Sequence, residues 1–257
     1  MRHFILAIMI FFSAPLHASF DDYVDVIIDA AEVVGVDPTL LVTIAHQETR
    51  FQNVRARAGG SAEGLFQFND ITWRHVLDRF GDEFDIGKDT SKYDVYANSV
   101  MGAVYVRENT RRLQTLLGRE PTVGEVYMAH LLGPTGARRL LSADTTLIAA
   151  DVVSYAYVRN QPLFVTSTGK LKTTGQFRDS MNWRMHRLYS DYAGSVEQVL
   201  LSRRHPPEPT SIWKTLLGKA NVLPDAINRL KEHPLVKDAL EHQEAIAYIQ
   251  QYNRYAG

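Results

Sequence analysis

The chain has 257 residues and no cysteine, so no disulfide braces it and no cysteine can carry a lipid after a leader. Its 28 Lys and Arg nearly balance 29 Asp and Glu, and a net charge of −1 supplies no electrostatic footprint for nucleic acid. The nine histidines are scattered without a ligand spacing, so neither a metal nor another cofactor is expected, while the length suffices to bury the core of one domain with an appendage.

Residues 1–18, MRHFILAIMIFFSAPLHA, place basic Arg2 and His3 ahead of an apolar run from Phe4 to Phe12 and end on small Ala18. That is the pattern of a secretory signal peptide. The run is short for a bilayer and Asp21 and Asp22 follow at once, so cleavage after Ala18 and a periplasmic location are expected. An uncleaved leader would instead tether the same domain to the inner membrane. No other segment reads as transmembrane.

Val24, Ile27, Ile28, Ala31 and Val34 recur at helical spacing and predict a first helix, which Gly35 ends. Asp37-Pro38 then joins a capping side chain to a proline at the first helical position, opening a second helix toward Glu48. Residues 55–64, RARAGGSAEG, read as a glycine-rich loop. In LFQF, Leu65 and Gln67 share one face of a short predicted strand, with Phe66 and Phe68 turned to the core.

Asn69-Asp70 offers the cap of a helix through Trp73 and Val76, and Ala97, Val100, Met101 and Val104 mark an amphipathic helix over YANSVMGAVYVREN. A further helix from near Thr122 carries Tyr127 and His130 and stops at Gly133-Pro134. Helical patterns follow at 136–142, 147–158 and 175–201. The fold class is therefore mainly α. RRHPPEPTS, residues 203–211, interrupts the pattern; 203–210 reads as a proline-rich linker between a domain at 19–202 and a helical C-terminal extension at 211–257.

In the helix from Pro38, Leu41, Ile44 and Glu48 fall on one stripe, so the carboxylate shares a face with core side chains. Burial disfavours its charged form and keeps the proton available for donation near neutral pH, the property of a general acid. Alternatively Glu48 turns outward at the helix end and pairs with Arg50.

GVDPTLLVTIAHQETRF, followed by AEGLFQF and later by YMAHLLGPTGA, resembles the soluble lytic transglycosylase-like (SLT) domain, a branch of the lysozyme-like superfamily. DVYANSVMGAVYVREN resembles the helix behind that family's cleft, and RNQPLF resembles an Asn-x-x-x-Phe stretch found in one of its branches. The resemblance spans roughly residues 23–190. It implies a lysozyme-like, α-rich domain with a small β element beside a cleft for the glycan strands of peptidoglycan, acting as a monomer. Glu48 is then the acid that protonates the glycosidic oxygen between N-acetylmuramic acid and N-acetylglucosamine. It next serves as the base while the muramoyl C6 hydroxyl attacks C1, leaving a 1,6-anhydromuramoyl end. A sugar hydroxyl replaces water, so no second carboxylate is required.

The same resemblance assigns substrate-binding positions to Thr49, Gly64, Gln67 and Tyr127. Thr49 stands where the family usually has serine, and it either hydrogen-bonds near the acid or merely ends the helix. Gly64 permits a tight turn, and the Gln67 amide can donate to and accept from sugar groups or lie on the surface. Tyr127 aligns with a tyrosine near the acid, but the residues after it depart from the commoner Ala-Tyr-Asn-Ala-Gly pattern, which leaves the role of His130 open. Tyr155, Tyr157 and Trp73 are stacking rings or core.

Two other functions fit the same residues. A muramidase-type hydrolase would pair Glu48 with Glu63 or Asp70 as base. A non-catalytic glycan-binding component would use residues 211–257 to dock on a protein partner.

Overall fold

The computed structural model describes residues 20–55 and 60–204. The leader at 1–18 and the extension at 211–257 lie outside the described residues. The chain divides into two units, residues 1–197 and 198–257. Of the second, only 198–204 are described, and they belong to the last helix.

Eight α-helices make up most of the described residues: α1 (Phe20–Val34), α2 (Pro38–Thr49), α3 (Asp70–Phe80), α4 (Val95–Leu117), α5 (Val123–Ser142), α6 (Ala149–Val152), α7 (Ser154–Phe164) and α8 (Thr174–Arg204). The mainly α, lysozyme-like class read from the sequence is the observed one. Helix α4 is central. Residues 97–104 are buried on every side, as a helix enclosed by its neighbours requires, and α1, α3 and α5 pack around it.

Local chemistry sets the helix ends. The Asp37 carboxylate accepts from the backbone N–H groups of Thr39 and Leu40, at 2.8 and 3.3 Å, and Pro38 occupies the first helical position. Thr122 and Glu125 form a reciprocal capping box at the start of α5. Gly133, at φ 70°, kinks α5 where the sequence predicted a stop; Pro134 starts the next stretch, so the two predicted helices are joined by a bend. Helix α8 lies along α2. Tyr189 donates to Asp37 at 2.6 Å, and the Tyr192 hydroxyl lies 2.6 Å from His46 Nδ1.

Two expectations need correction. LFQF is not a strand, and among the described residues the β structure beside the cleft is limited to isolated bridges, Val54 with Gly64 and Glu63 with Phe68. Leu65 is fully buried along with Phe66, while Gln67 is half-buried at φ 49°, so Leu65 and Gln67 do not share a face. Period-2 alternation was coincidental in a turn whose shape is imposed by other helices. The linker predicted from residue 203 also starts too early, because α8 continues through Arg204 before the first proline of the break.

Among the described residues no helix is long and apolar enough to cross a membrane.

Candidate active site

Helix α2 delivers Glu48 in its last turn, on the stripe where Leu41 and Ile44 are fully buried. The Glu48 side chain is 16% exposed, and its Oε1 is out of solvent with no hydrogen-bond partner. Burial pushes the carboxyl pKa up to about 7, against the opposing effect of a hydrogen bond from Tyr127. The acid is thus half-protonated near neutral pH, as its place on the apolar stripe predicted.

Tyr127 comes from α5 and is almost completely enclosed. Burial first, and then the negative charge of Glu48, drives its phenol well above the ordinary tyrosine range, so it stays protonated and donates to the carboxyl group. Gln47, the neighbour of Glu48 on α2, hydrogen-bonds the same phenol.

His130 lies one helical turn beyond Tyr127, its ring stacked on the phenol with centroids 6.2 Å apart. Its Nε2 is 3.3 Å from the carbonyl oxygen of Phe66 and 3.8 Å from Glu48 Oε1. A carbonyl only accepts, so Nε2 carries the ring proton and Nδ1 is left buried without a partner. Burial pushes the imidazole down to about 4, leaving it neutral where Glu48 titrates. Glu48 therefore faces a neutral N–H, and no nearby imidazolium pulls its pKa back down.

The turn over residues 63–68 forms the facing wall. Glu63 and Phe68 exchange backbone hydrogen bonds of 3.1 and 3.0 Å, and Gly64 N–H donates to Val54 at 2.9 Å. Three helices then hold three adjacent backbone groups of this turn. Thr49 of α2 places its hydroxyl 3.1 Å from the Leu65 carbonyl, Asn98 of α4 accepts from Phe66 N–H at 2.9 Å, and His130 of α5 donates to the Phe66 carbonyl. Gly64 sits at φ 82°, and a Cβ there would overlap the Asn98 amide and the Lys92 carbonyl. Gly102 on α4 similarly leaves room for the Phe66 ring.

The five residues singled out by the resemblance thus converge on one place, with distinct roles. Glu48, Thr49 and Gln67 line a cleft of about 400 Å³, together with Gln47, Arg50 and Arg55. Tyr127 stands behind the acid, and Gly64 shapes the wall. Thr49 also reaches the Ala45 carbonyl at 3.1 Å, so its hydroxyl is directed to the backbone. Gln67 donates to the Gly64 carbonyl at 2.9 Å. Arg50, Phe51 and Gln67, none of them glycine, are left-handed at φ 52°, 61° and 49°. Such residues cost about 1 kcal/mol or more each and persist where surrounding structure fixes them, a pattern concentrated at functional sites.

Glu48 is the only carboxylate among the described residues lining this cleft. Glu63 and Asp70 instead converge on Lys92, whose Nζ is 3.9 Å from Glu63 and in contact with Asp70. Trp73 is core: it packs on Phe68 and its indole donates to the Thr90 carbonyl at 3.2 Å. The exposed ring of Tyr155 is anchored through its hydroxyl to the Leu132 carbonyl. Among the described residues no group of His, Asp and Glu is arranged to hold a metal ion.

Sequence reasoning missed Asn98, which is fully buried, donates to the Lys92 carbonyl at 2.6 Å and holds the turn. Its signal was a polar pair, Asn98-Ser99, inside the apolar register of α4. Asn98→Ala strands the Phe66 N–H, and a drop in stability of about 2 kcal/mol is expected from the shift of the urea midpoint.

A helical, lysozyme-like domain with a desolvated acid in its cleft opposite a clamped turn is the class of protein that this fold and cleft define. Residues 25–147 match the family of the transglycosylase SLT domain. The match supports a transglycosylase-type domain that acts on peptidoglycan. The match begins in α1 and includes α2 through α5; α6, α7 and α8 lie beyond it.

Proposed function

We propose that the chain is an exported, periplasmic lytic transglycosylase that acts as a monomer. It cleaves the β-1,4 bond between N-acetylmuramic acid and N-acetylglucosamine and leaves 1,6-anhydromuramoyl ends. The observation that carries this reading is a cleft carboxylate, the only one lining the cleft among the described residues, whose pKa of about 7 lets it serve first as acid and then as base.

In the first step the Glu48 proton passes to the glycosidic oxygen as the C1–O bond breaks, and the N-acetylglucosamine side leaves as an alcohol. The positive charge that develops at C1 stands beside the newly formed carboxylate. Tyr127 donates to that carboxylate, and the neutral His130 ring lies close by, its Nε2 3.8 Å from Oε1. In the second step the carboxylate takes the proton of the muramoyl C6 hydroxyl as that oxygen bonds to C1. Glu48 regains its proton, and no water is consumed.

A hydrolase of this size would need a base to activate water, and the two candidates, Glu63 and Asp70, are drawn to Lys92. Gln67 and Thr49 border the cleft where the sugar lies, with the free carbonyl of the Gln67 amide available to an acetamido N–H. The leader read at residues 1–18 supports export.

Digestion of purified sacculi distinguishes the mechanisms. Mass spectrometry should find muropeptides lighter by one water than hydrolytic products and lacking a reducing end. Reducing fragments as the main product would replace this mechanism with hydrolysis.

A further inference from the structure

A second cavity of about 290 Å³ adjoins the Glu48 cleft and shares Gln47 and Arg50 with it. Its other wall is α8, which contributes Trp183, Arg184 and Arg187. Trp183 is 66% exposed, an unusual placement for the largest apolar side chain, and the Arg187 guanidinium lies 5.6 Å from its ring centre. No salt bridge involves Arg50, Arg184 or Arg187 among the described residues. The cavity thus presents three arginines and an open indole beside the reacting bond. Asp191 acts electrostatically on His46, which also lines the cavity.

Resting on the transglycosylase reading, we propose that this cavity binds the peptide stem of the muramic acid residue, with the arginines taking its carboxylates and Trp183 covering its aliphatic parts. The argument is one of charge and place. The sugar rings of a peptidoglycan strand are neutral; the anionic groups of the substrate are the carboxylates of the stem joined through the lactyl ether of N-acetylmuramic acid. That stem emerges from the very residue whose C1 is attacked, so it leaves the cleft close to Glu48. Arginine forks match carboxylates in planar, two-pronged geometry. An indole face accepts alanine methyls and methylene chains without needing a hydrogen bond from them.

The α8 wall of the site lies outside the SLT match, which ends at residue 147, while His46, Gln47 and Arg50 lie within it. That wall is held in register by the Tyr189–Asp37 and Tyr192–His46 contacts that bind α8 along α2. The enzyme then prefers strands that still carry their peptides, and cleaves bare glycan more slowly.

Two substrates separate this role from a structural one: glycan strands bearing uncross-linked stems, and the same strands stripped of peptide by an amidase. Arg187→Glu should lower kcat/KM about tenfold on stem-bearing strands and leave the stripped strands unchanged, while Arg187→Lys retains most of the preference. Equal losses on both substrates, or no loss on either, would overturn the stem site. Should the wild type cleave neither substrate, the transglycosylase reading fails by itself. The cavity is then judged by calorimetric titration with muramoyl tetrapeptide, where saturable binding weakened about tenfold by Arg187→Glu is expected. Absence of saturable binding there overturns the site independently of catalysis.

Discussion

Glu48→Gln should reduce glycan cleavage by about a thousandfold, the effect expected when a positioned acid and base is removed from both halves of a reaction. Glutamine keeps the size of the side chain and can still accept from Tyr127, so the far-ultraviolet circular dichroism should be unchanged. What is lost is the proton. Gly64, Thr49, Asn98 and His130 still hold the facing wall, so substrate binding to the variant should persist. The pH profile of the wild type reports the same group. The first step needs the protonated acid, whose pKa is about 7, and cleavage should therefore fall as pH rises through about 7. His130, with a pKa near 4, is already neutral over that range and does not produce the falling limb. Initial rates between pH 5 and 9 check this, and a Glu48→Gln variant within tenfold of wild type would remove the glutamate from the mechanism.

The acid was legible before the structure because everything that exposes it is local. Asp37-Pro38 fixes where α2 begins, the helical period then puts Glu48 on the face of Leu41 and Ile44, and an apolar face means desolvation. The turn opposite was not legible in the same way. LFQF alternates like a strand, yet its backbone groups are held by Thr49, Asn98 and His130 on three different helices, and no pattern within four residues reports partners that distant. The sequence reading also left His130 open, because a lone histidine on a helix has no signature. Only the packing of α5 against the turn brings its Nε2 to the Phe66 carbonyl and near Glu48. Glu63 and Asp70 looked eligible as second carboxylates for the corresponding reason: Lys92, which draws both, is 29 and 22 residues further along. Short-range chemistry predicted the desolvated carboxyl group, and long-range packing decided which of its neighbours are scaffold.

The same substitution that removes catalysis should stabilise the fold, and by an amount that depends on pH in a defined direction. In the unfolded chain a glutamate titrates near 4.5, whereas in the folded protein burial raises Glu48 to about 7. The folded state therefore holds this proton more tightly. Its advantage is fully present below about pH 4.5 and is lost as pH rises to about 7, beyond which the fold carries a charge it solvates poorly. The loss amounts to roughly 3 kcal/mol across that window. Glutamine does not titrate. Urea midpoints of wild type and Glu48→Gln should thus nearly coincide at pH 4.5 and separate as pH rises, with the variant about 3 kcal/mol the more stable at pH 8. A gap that stays constant with pH would mean that Glu48 is solvated in the folded state. The distinction matters for mechanism, because solvation would return the carboxyl group to its ordinary range and leave too little of the acid form at neutral pH. Destabilisation at Glu48 and its capacity to donate a proton come from one cause, the burial of a carboxyl group on an apolar stripe with a single phenol to satisfy it.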